Sequence, residues 1–520
     1  MRHASRRDIL TAVLGLTAAQ AIPVFAATGS AMAQGTSAGA SAGAPQTAAA
    51  IVAAIRDKRL TATDAVKAAL ARAEQMKHLN AFITLNTDGA LAAAKKIDVM
   101  VAAGQPLPPL AGLPIVVKDN INTADMPTTG GTEALRNARP KANAPSLQKL
   151  IDAGAIVIGK TNLHELAFGI TSTNAASLAG HVKNPHDVTR IPGGSSGGTA
   201  AAIAAGIVPA GLGSDTGGST RIPAALTGTV GLRPSVGNGG AERRYHDAHA
   251  VVPISRTRDT VGPMGRTVAD VALLDAVVTG TPVASAGSLK GKRIGIPLSF
   301  WSGLDPELEA VAKAARGKLE TAGVVFVDGD LPGLADLNAK VSFPVALHEP
   351  VEDIPAYLKA SGIEGVTLAD IAGQIKSPDV QGAFGAIMKD VFGKDYPDAM
   401  KVHRPALQKL YADYFKTNNL DAMLFPTTPA PAVPIDAEKG SGEMSIAGGK
   451  PAPTFGTMIR NTDPGSNAGI PGLSLFAGMT KGGLPVGIEI DGPLGSDTAL
   501  LSLGLAMEAL LGNAPAPAAK

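Results

Sequence analysis

The chain has 520 residues, 45% apolar and 17% charged, which is enough to bury a large core and excludes wholesale disorder. Forty-six Lys and Arg stand against 44 Asp and Glu, and a formal charge of +2 offers no global case for a nucleic-acid binder. Cysteine is absent, which removes disulfides, thiolate metal sites and cysteine nucleophiles.

Ser5-Arg6-Arg7-Asp8-Ile9-Leu10 places two arginines before a mild apolar run to Ala27, and Ala31-Met32-Ala33 is a small-x-small cleavage pattern. Together they predict a twin-arginine signal over residues 1–33 and a folded chain exported to the periplasm or secreted. Gln20 and Pro23 interrupt the run, so no stable membrane anchor is expected after cleavage. Arg2, Arg6 and Arg7 against Asp8 carry the whole formal excess, and the mature chain is formally neutral. Residues 34–48 are uncharged and small, and read as a flexible leader.

Residues 49–103 are helical in pattern, with Ile51, Ala54, Ile55, Ala65, Ala68 and Leu70 near 3.6-residue spacing. Leu113 to Lys118 reads as a short buried strand that ends on a lysine. A helix is predicted from about Ala144 to Gly154, then a strand over Ala155–Ile158. Residues 193–240 hold 14 glycines in 48 positions around an Ala-rich helix at Thr199–Ile207. Glycine concentrates where backbone approaches something closely. Strands follow at Arg293–Pro297 and Val324–Val327, with a helix at Pro306–Ala322 between them. Residues 335–420 are mostly helical. Strands at Ala422–Phe425 and Leu484–Asp491 precede a last helix, capped by Asp497 and running to Leu511. This alternation predicts one large α/β domain over 49–512 and a tail at 513–520.

Several motifs fail on context. The glycine block lacks the Gly-Lys-Ser/Thr of a phosphate loop. Ser195 and Ser196 both match G-x-S-x-G, but no convincing strand precedes them. Ser146-Leu147-Gln148-Lys149 is an S-x-x-K that also fits an ordinary helix start. His246-Asp247-Ala248-His249 lacks a third ligand, and neither His164-Glu165 nor His348-Glu349 has the second histidine of a zinc helix. No metal and no cofactor is expected.

Lysine and serine remain. Lys118 closes an apolar run, where an ammonium is costly and its pKa falls toward neutrality; its plainer role is an ion pair with Asp119. Ser219 follows Thr216-Gly217-Gly218, a run of unobstructed backbone N–H groups suited to an oxyanion, or simply a turn.

The chain resembles the amidase signature family. The resemblance is carried by Val116 to Asn120, Ala153 to Asn162, Gly193 to Gly198, Gly213 to Ala225, Gly231 to Pro234, Asp259 to Pro263 and Leu484 to Gly487, in order. It implies a mixed, twisted β-sheet flanked by helices on both faces, and a Ser–cisSer–Lys triad. Ser219 would be the nucleophile, Ser195 the bridging serine after a cis Gly194–Ser195 peptide, and Lys118 the base. Backbone N–H groups of Thr216, Gly217, Gly218 and Ser219 would hold the oxyanion, with Asp215 and Arg221 structural. Lys160 to Gly169 and residues 346–359 look like the indoleacetamide and mandelamide hydrolase branch, which suggests a small aryl-substituted acetamide. Residues 285–420 would shape the acyl pocket. Thr220 replaces a branched apolar residue, and Val236–Ala250 is longer and more charged than the family's link.

The resemblance implies hydrolysis of a linear carboxamide through an acyl-enzyme on Ser219. Its partner would be a small amide, not nucleic acid, with a homodimer left open. The alternatives are ester or carbamate cleavage by the same triad, an inactive amidase-like binding protein, and the amidotransferase subunit of tRNA-dependent amidation, which the export signal disfavours. An α/β-hydrolase esterase would instead require a histidine such as His403.

Overall fold

Short apolar runs that alternate with amphipathic stretches build a sheet when helices cover both its faces. The computed structural model describes residues 47–518. The predicted signal (1–33), most of the leader and residues 519–520 lie outside the described residues.

Among the described residues there are thirteen strands: β1 (Phe82–Leu85), β2 (Pro114–Lys118), β3 (Ile156–Thr161), β4 (Ala210–Asp215), β5 (Val230–Arg233), β6 (Thr260–Gly265), β7 (Arg293–Pro297), β8 (Val325–Gly329), β9 (Ala422–Pro426), β10 (Glu443–Met444), β11 (Ala452–Pro453), β12 (Gly472–Met479) and β13 (Pro485–Asp491). Eleven form one mixed sheet in the order β1-β3-β2-β4-β6-β5-β12-β13-β9-β7-β8, and β10 pairs with β11 alone. Parallel sets β3-β2-β4 and β9-β7-β8 are joined by an antiparallel middle. Every residue of β2, β3, β4, β6, β9 and β13 is buried, as strands covered on both faces must be. The fold is thus a helix-flanked mixed sheet in a single domain, as the resemblance implied.

Most predicted elements appear within a few residues. The helix expected from Ala144 runs Pro145–Asp152, and the last one runs Asp497–Leu511. Two details differ. β1 interrupts the stretch read as all-helical, since Phe82–Leu85 pairs along the edge of β3. Asp497 does not cap its own helix. It accepts from the Ser235 N–H (2.8 Å) and hydroxyl (2.6 Å), and Ser496 is the N-cap. Residues 334–417 carry the helices Leu334–His348, Pro350–Ala360, Leu368–Gln374, Pro378–Ile387 and Arg404–Thr417. Among the described residues no helix is long and apolar enough to cross a membrane.

The chain order places the site. β2 and β4 are parallel neighbours, with Val117 opposite Leu212, so their C-terminal ends lie side by side. The loop after β3 leads through Ser195 into the helix Gly197–Ala204, which is buried on all sides. Gly198 is required there: a Cβ would stand 2.3 Å from the Asn162 carbonyl oxygen and 2.6 Å from that of Ala81.

Candidate active site

Lys118 ends β2 with its side chain fully buried. Its Nζ donates to Ser195 Oγ at 2.7 Å and to Ser214 Oγ at 2.9 Å. Asn120 Nδ2 also donates to Ser214 Oγ, at 2.9 Å. Ser214 is the penultimate residue of β4, so strand pairing alone brings it to Lys118. The expected pairing with Asp119 does not occur. Asp119 turns to Lys160 Nζ at 3.1 Å and accepts from the Thr129 hydroxyl and N–H, because successive strand residues face opposite sides. Without a carboxylate in contact, burial lowers the Lys118 pKa to about 7, although Asp215 and Asp259 pull it back upward.

The Gly194–Ser195 peptide is cis. The Ser195 carbonyl accepts from the His164 N–H at 3.2 Å, and the neighbouring Ser196 N–H donates to the Ser219 carbonyl at 3.1 Å. The two serine loops are therefore stitched main chain to main chain. Ser219 makes no hydroxyl–hydroxyl hydrogen bond to Ser195 here, and catalytic contacts of this kind tighten when substrate is bound.

Ser219 follows β4 in a loop held from behind. Asp215 accepts from the N–H groups of Gly218 (2.9 Å) and Thr220 (3.1 Å), from Arg221 (3.0 and 3.1 Å) and from Arg233 (3.1 Å). Burial opposes its charge, but the two guanidiniums outweigh that and hold the carboxyl below the usual carboxylate range. Arg221 also meets Glu489 at 2.5 Å. Thr220 uses its hydroxyl on Asp215 (3.0 Å) and the Leu232 carbonyl (3.1 Å), a role that a branched apolar residue could not fill. Thr216 donates through Oγ1 to Asp259 at 2.6 Å, and the Gly217 carbonyl accepts from Thr462 Oγ1 at 2.6 Å. Burial raises Asp259 to about 6, against its hydrogen bonds from Thr216, Ser255 and Ile254.

Of the four N–H groups expected to face an oxyanion, one is already engaged within the protein. The Gly218 N–H is committed to Asp215, and Gly218 (φ +141°) faces Thr462, where a Cβ would stand 2.3 Å from its Oγ1. The N–H groups of Thr216, Gly217 and Ser219 make no hydrogen bond among the described residues, and these residues line a cavity of about 370 Å³. Its wall is mainly apolar and includes Phe168, Ile254, Phe343, Leu347, Phe455 and Ile459. Phe343 stacks on Phe455 with centroids 6.2 Å apart. The predicted variable region supplies residues 342–347 and 379–383, but 167–170 and 455–463 contribute as much. No local sequence signal marks those phenylalanines, because chain segments nearly 300 residues apart bring them together.

The other candidates lie elsewhere. Ser146 donates its N–H and hydroxyl to Asp247 (2.7 and 2.5 Å), and Lys149 donates to the Val278 carbonyl at 2.6 Å. His403 ends the turn Ala399–His403 and is not on the cavity wall. Within the long 236–250 segment, Arg244 and Tyr245 anchor on Asp275 (2.6 and 3.1 Å), and Arg243 donates to the Asp259 carbonyl behind the nucleophile loop.

Comparison with known proteins agrees with this geometry. The family model described as Amidase matches residues 64–501. The chain belongs to the amidase family. The amidase is 42% identical over 458 residues to an indoleacetamide hydrolase of Agrobacterium vitis, covering 87% of this chain and 94% of that one. It is 40% identical over 482 residues to a mandelamide hydrolase of Pseudomonas putida, covering 89% and 91%. The native peptide amidase structure from Stenotrophomonas maltophilia superposes with a TM-score of 0.75 at 29% identity, covering 91% of this amidase and 99% of that chain.

Proposed function

We propose that this serine amidase hydrolyses small aryl-substituted acetamides to a carboxylate and ammonia or an amine. The observation that carries the reading is the buried Lys118–Ser195 hydrogen bond beside a cavity onto which Ser219 opens. Ser219 Oγ attacks the amide carbonyl. Its proton passes to Ser195 Oγ as Ser195 gives its own to neutral Lys118 Nζ. The oxyanion meets the N–H groups of Thr216, Gly217 and Ser219. On collapse the relay returns a proton to the leaving nitrogen, and the acyl group stays on Ser219. Water then gives a proton to the same relay, attacks the ester and releases the carboxylate, and Ser219 recovers its proton.

The phenylalanine wall and the names of the two hydrolases support an aryl acyl group. The cavity, at about 370 Å³, is at the small end for a ligand site, which suits one ring system. Arg6-Arg7 and the Ala31-Met32-Ala33 cleavage pattern support export of the folded chain, and hence a periplasmic or secreted enzyme.

Ser219→Ala tests the reading. We expect kcat/KM on phenylacetamide to fall by about 10⁴-fold or more, and a fluorophosphonate probe to label the wild type alone. A variant within tenfold of wild type would refute the assignment. Matched ester and carbamate substrates show whether the same serine prefers another leaving group.

A further inference from the structure

We propose that Asp379 selects the substrate, its carboxylate accepting a hydrogen bond from an N–H or O–H on the aryl end of the amide. Preferred substrates are then arylacetamides that carry such a donor. This inference rests on the aryl-amidase reading above.

The helix Pro378–Ile387 presents Asp379, Gly382 and Ala383 to the cavity, a spacing of three and four residues that puts them on one helix face. A Cβ at Gly382 would meet no heavy atom within 4 Å, so this face contributes room as well as one carboxylate. Asp379 Oδ1 accepts from the Val380 N–H at 3.0 Å, and Oδ2 lies 2.9 Å from His164 Nε2. An ionised carboxylate offers about four acceptor positions, and these contacts use two. The Asp379 side chain keeps 31% of its surface while His164 keeps none, and Asp379 is among the residues that line the cavity.

The other charged side chains that line this cavity are occupied. Arg258 and Asp463 pair with each other. Arg258 also donates to the Thr216 and Ser342 carbonyls (3.3 and 3.1 Å) and reaches Ser342 Oγ at 3.5 Å. The second Asp463 oxygen accepts from Asn338 (2.8 Å) and Asn467 (3.0 Å). The Thr216 hydroxyl serves Asp259, and Ser219 is the proposed nucleophile. Asp379 therefore stands as the charged acceptor with spare capacity in a cavity also lined by Ala167, Phe168, Leu347 and Ala383. An aryl group that displaces water from it without offering a donor strands a charge, and one that offers a donor forms a charge-assisted bond. His164 is held at Thr171 Oγ1 (3.3 Å) and, through its backbone N–H, at Ser195, so the acceptor is oriented before substrate arrives.

The test uses the full chain as wild type, Asp379→Ala and Asp379→Asn. Substrates are indole-3-acetamide against its N-methyl analogue, 4-hydroxyphenylacetamide against 4-methoxyphenylacetamide, and phenylacetamide as baseline. Wild type is expected to prefer the donor member of each pair by about 10- to 100-fold in kcat/KM, mostly through KM. Asp379→Ala removes the preference by lowering the donor member alone. Asp379→Asn, a neutral acceptor that keeps the shape facing His164, retains a smaller preference and decides the matter if the Ala variant does not fold. A wild type indifferent within both pairs overturns the inference, as does a variant that loses both members of a pair equally. Either result leaves the amidase reading standing if phenylacetamide is hydrolysed. A wild type that hydrolyses no arylacetamide overturns the reading and this inference together.

Discussion

Lys118→Met is expected to give an inactive protein that resists unfolding better than wild type. Burial holds the Lys118 pKa at about 7 against an ordinary 10.5. At about 1.4 kcal/mol per decade, that costs the fold as much as ~5 kcal/mol near and below pH 7. Methionine removes this cost and forfeits the hydrogen bonds to Ser195 and Ser214, a loss of about 1–3 kcal/mol. The net gain is about 2–4 kcal/mol at neutral pH. Its pH dependence identifies the cause. Above pH 10.5 the lysine is neutral in both states, and the gain gives way to the deficit of about 1–3 kcal/mol from the lost hydrogen bonds. As pH falls from 10.5 to about 7, the unfolded chain takes up a proton that the folded chain refuses, and wild type loses stability relative to the variant. Below about 7 both states bind the proton and the gap stays constant. Urea midpoints at about pH 6, 8 and 10 measure it, read from the single tryptophan, Trp301, whose indole N–H donates to the Leu424 carbonyl at 3.0 Å. A variant less stable at every pH, by a constant amount, would show that Lys118 is carried as an ammonium and would refute the neutral-base argument. Wild-type kcat/KM is expected to rise through about pH 7 as Lys118 loses its proton.

Asp215→Asn keeps the shape of the buried hub and removes the charge between Arg221 and Arg233. A loss of about 3–5 kcal/mol in urea stability is expected. Because the Asp215 pKa is depressed in the fold, its contribution is fully present above the ordinary carboxylate range and is lost only as pH falls below it; the deficit should therefore be constant from about pH 6 to 9. A variant as stable as wild type would show that the two guanidiniums do not depend on this carboxylate. Replacing Arg6 and Arg7 together by Lys should leave the protein in the cytoplasm, as followed by cell fractionation. Unchanged export would refute the twin-arginine reading.

Much of the site was legible because its chemistry is concentrated in short runs. Lys118 ends an apolar strand, and the glycines around Ser195 and Ser219 mark backbone that passes close to other backbone. Six strands of the sheet were legible for the same reason, since a buried strand needs a short apolar run and little else, whereas glycines break up the apolar runs of β4, β5, β6 and β12. β1 escaped because it is an edge strand, half-buried to exposed throughout and defined by its pairing with β3 rather than by a buried pattern of its own.

Sequence by itself determined the candidate reacting residues, the α/β class and the family, all of which rest on residue types at fixed local spacing. Tertiary structure alone decided the rest. It turned Lys118 from Asp119 to Ser214, because strand neighbours face opposite sides and β4 lies alongside β2. It committed the Gly218 N–H to the Asp215 carboxylate. It brought three phenylalanines and Asp379 to one cavity from segments nearly 300 residues apart, and long-range packing of that kind leaves no trace in any local stretch of chain.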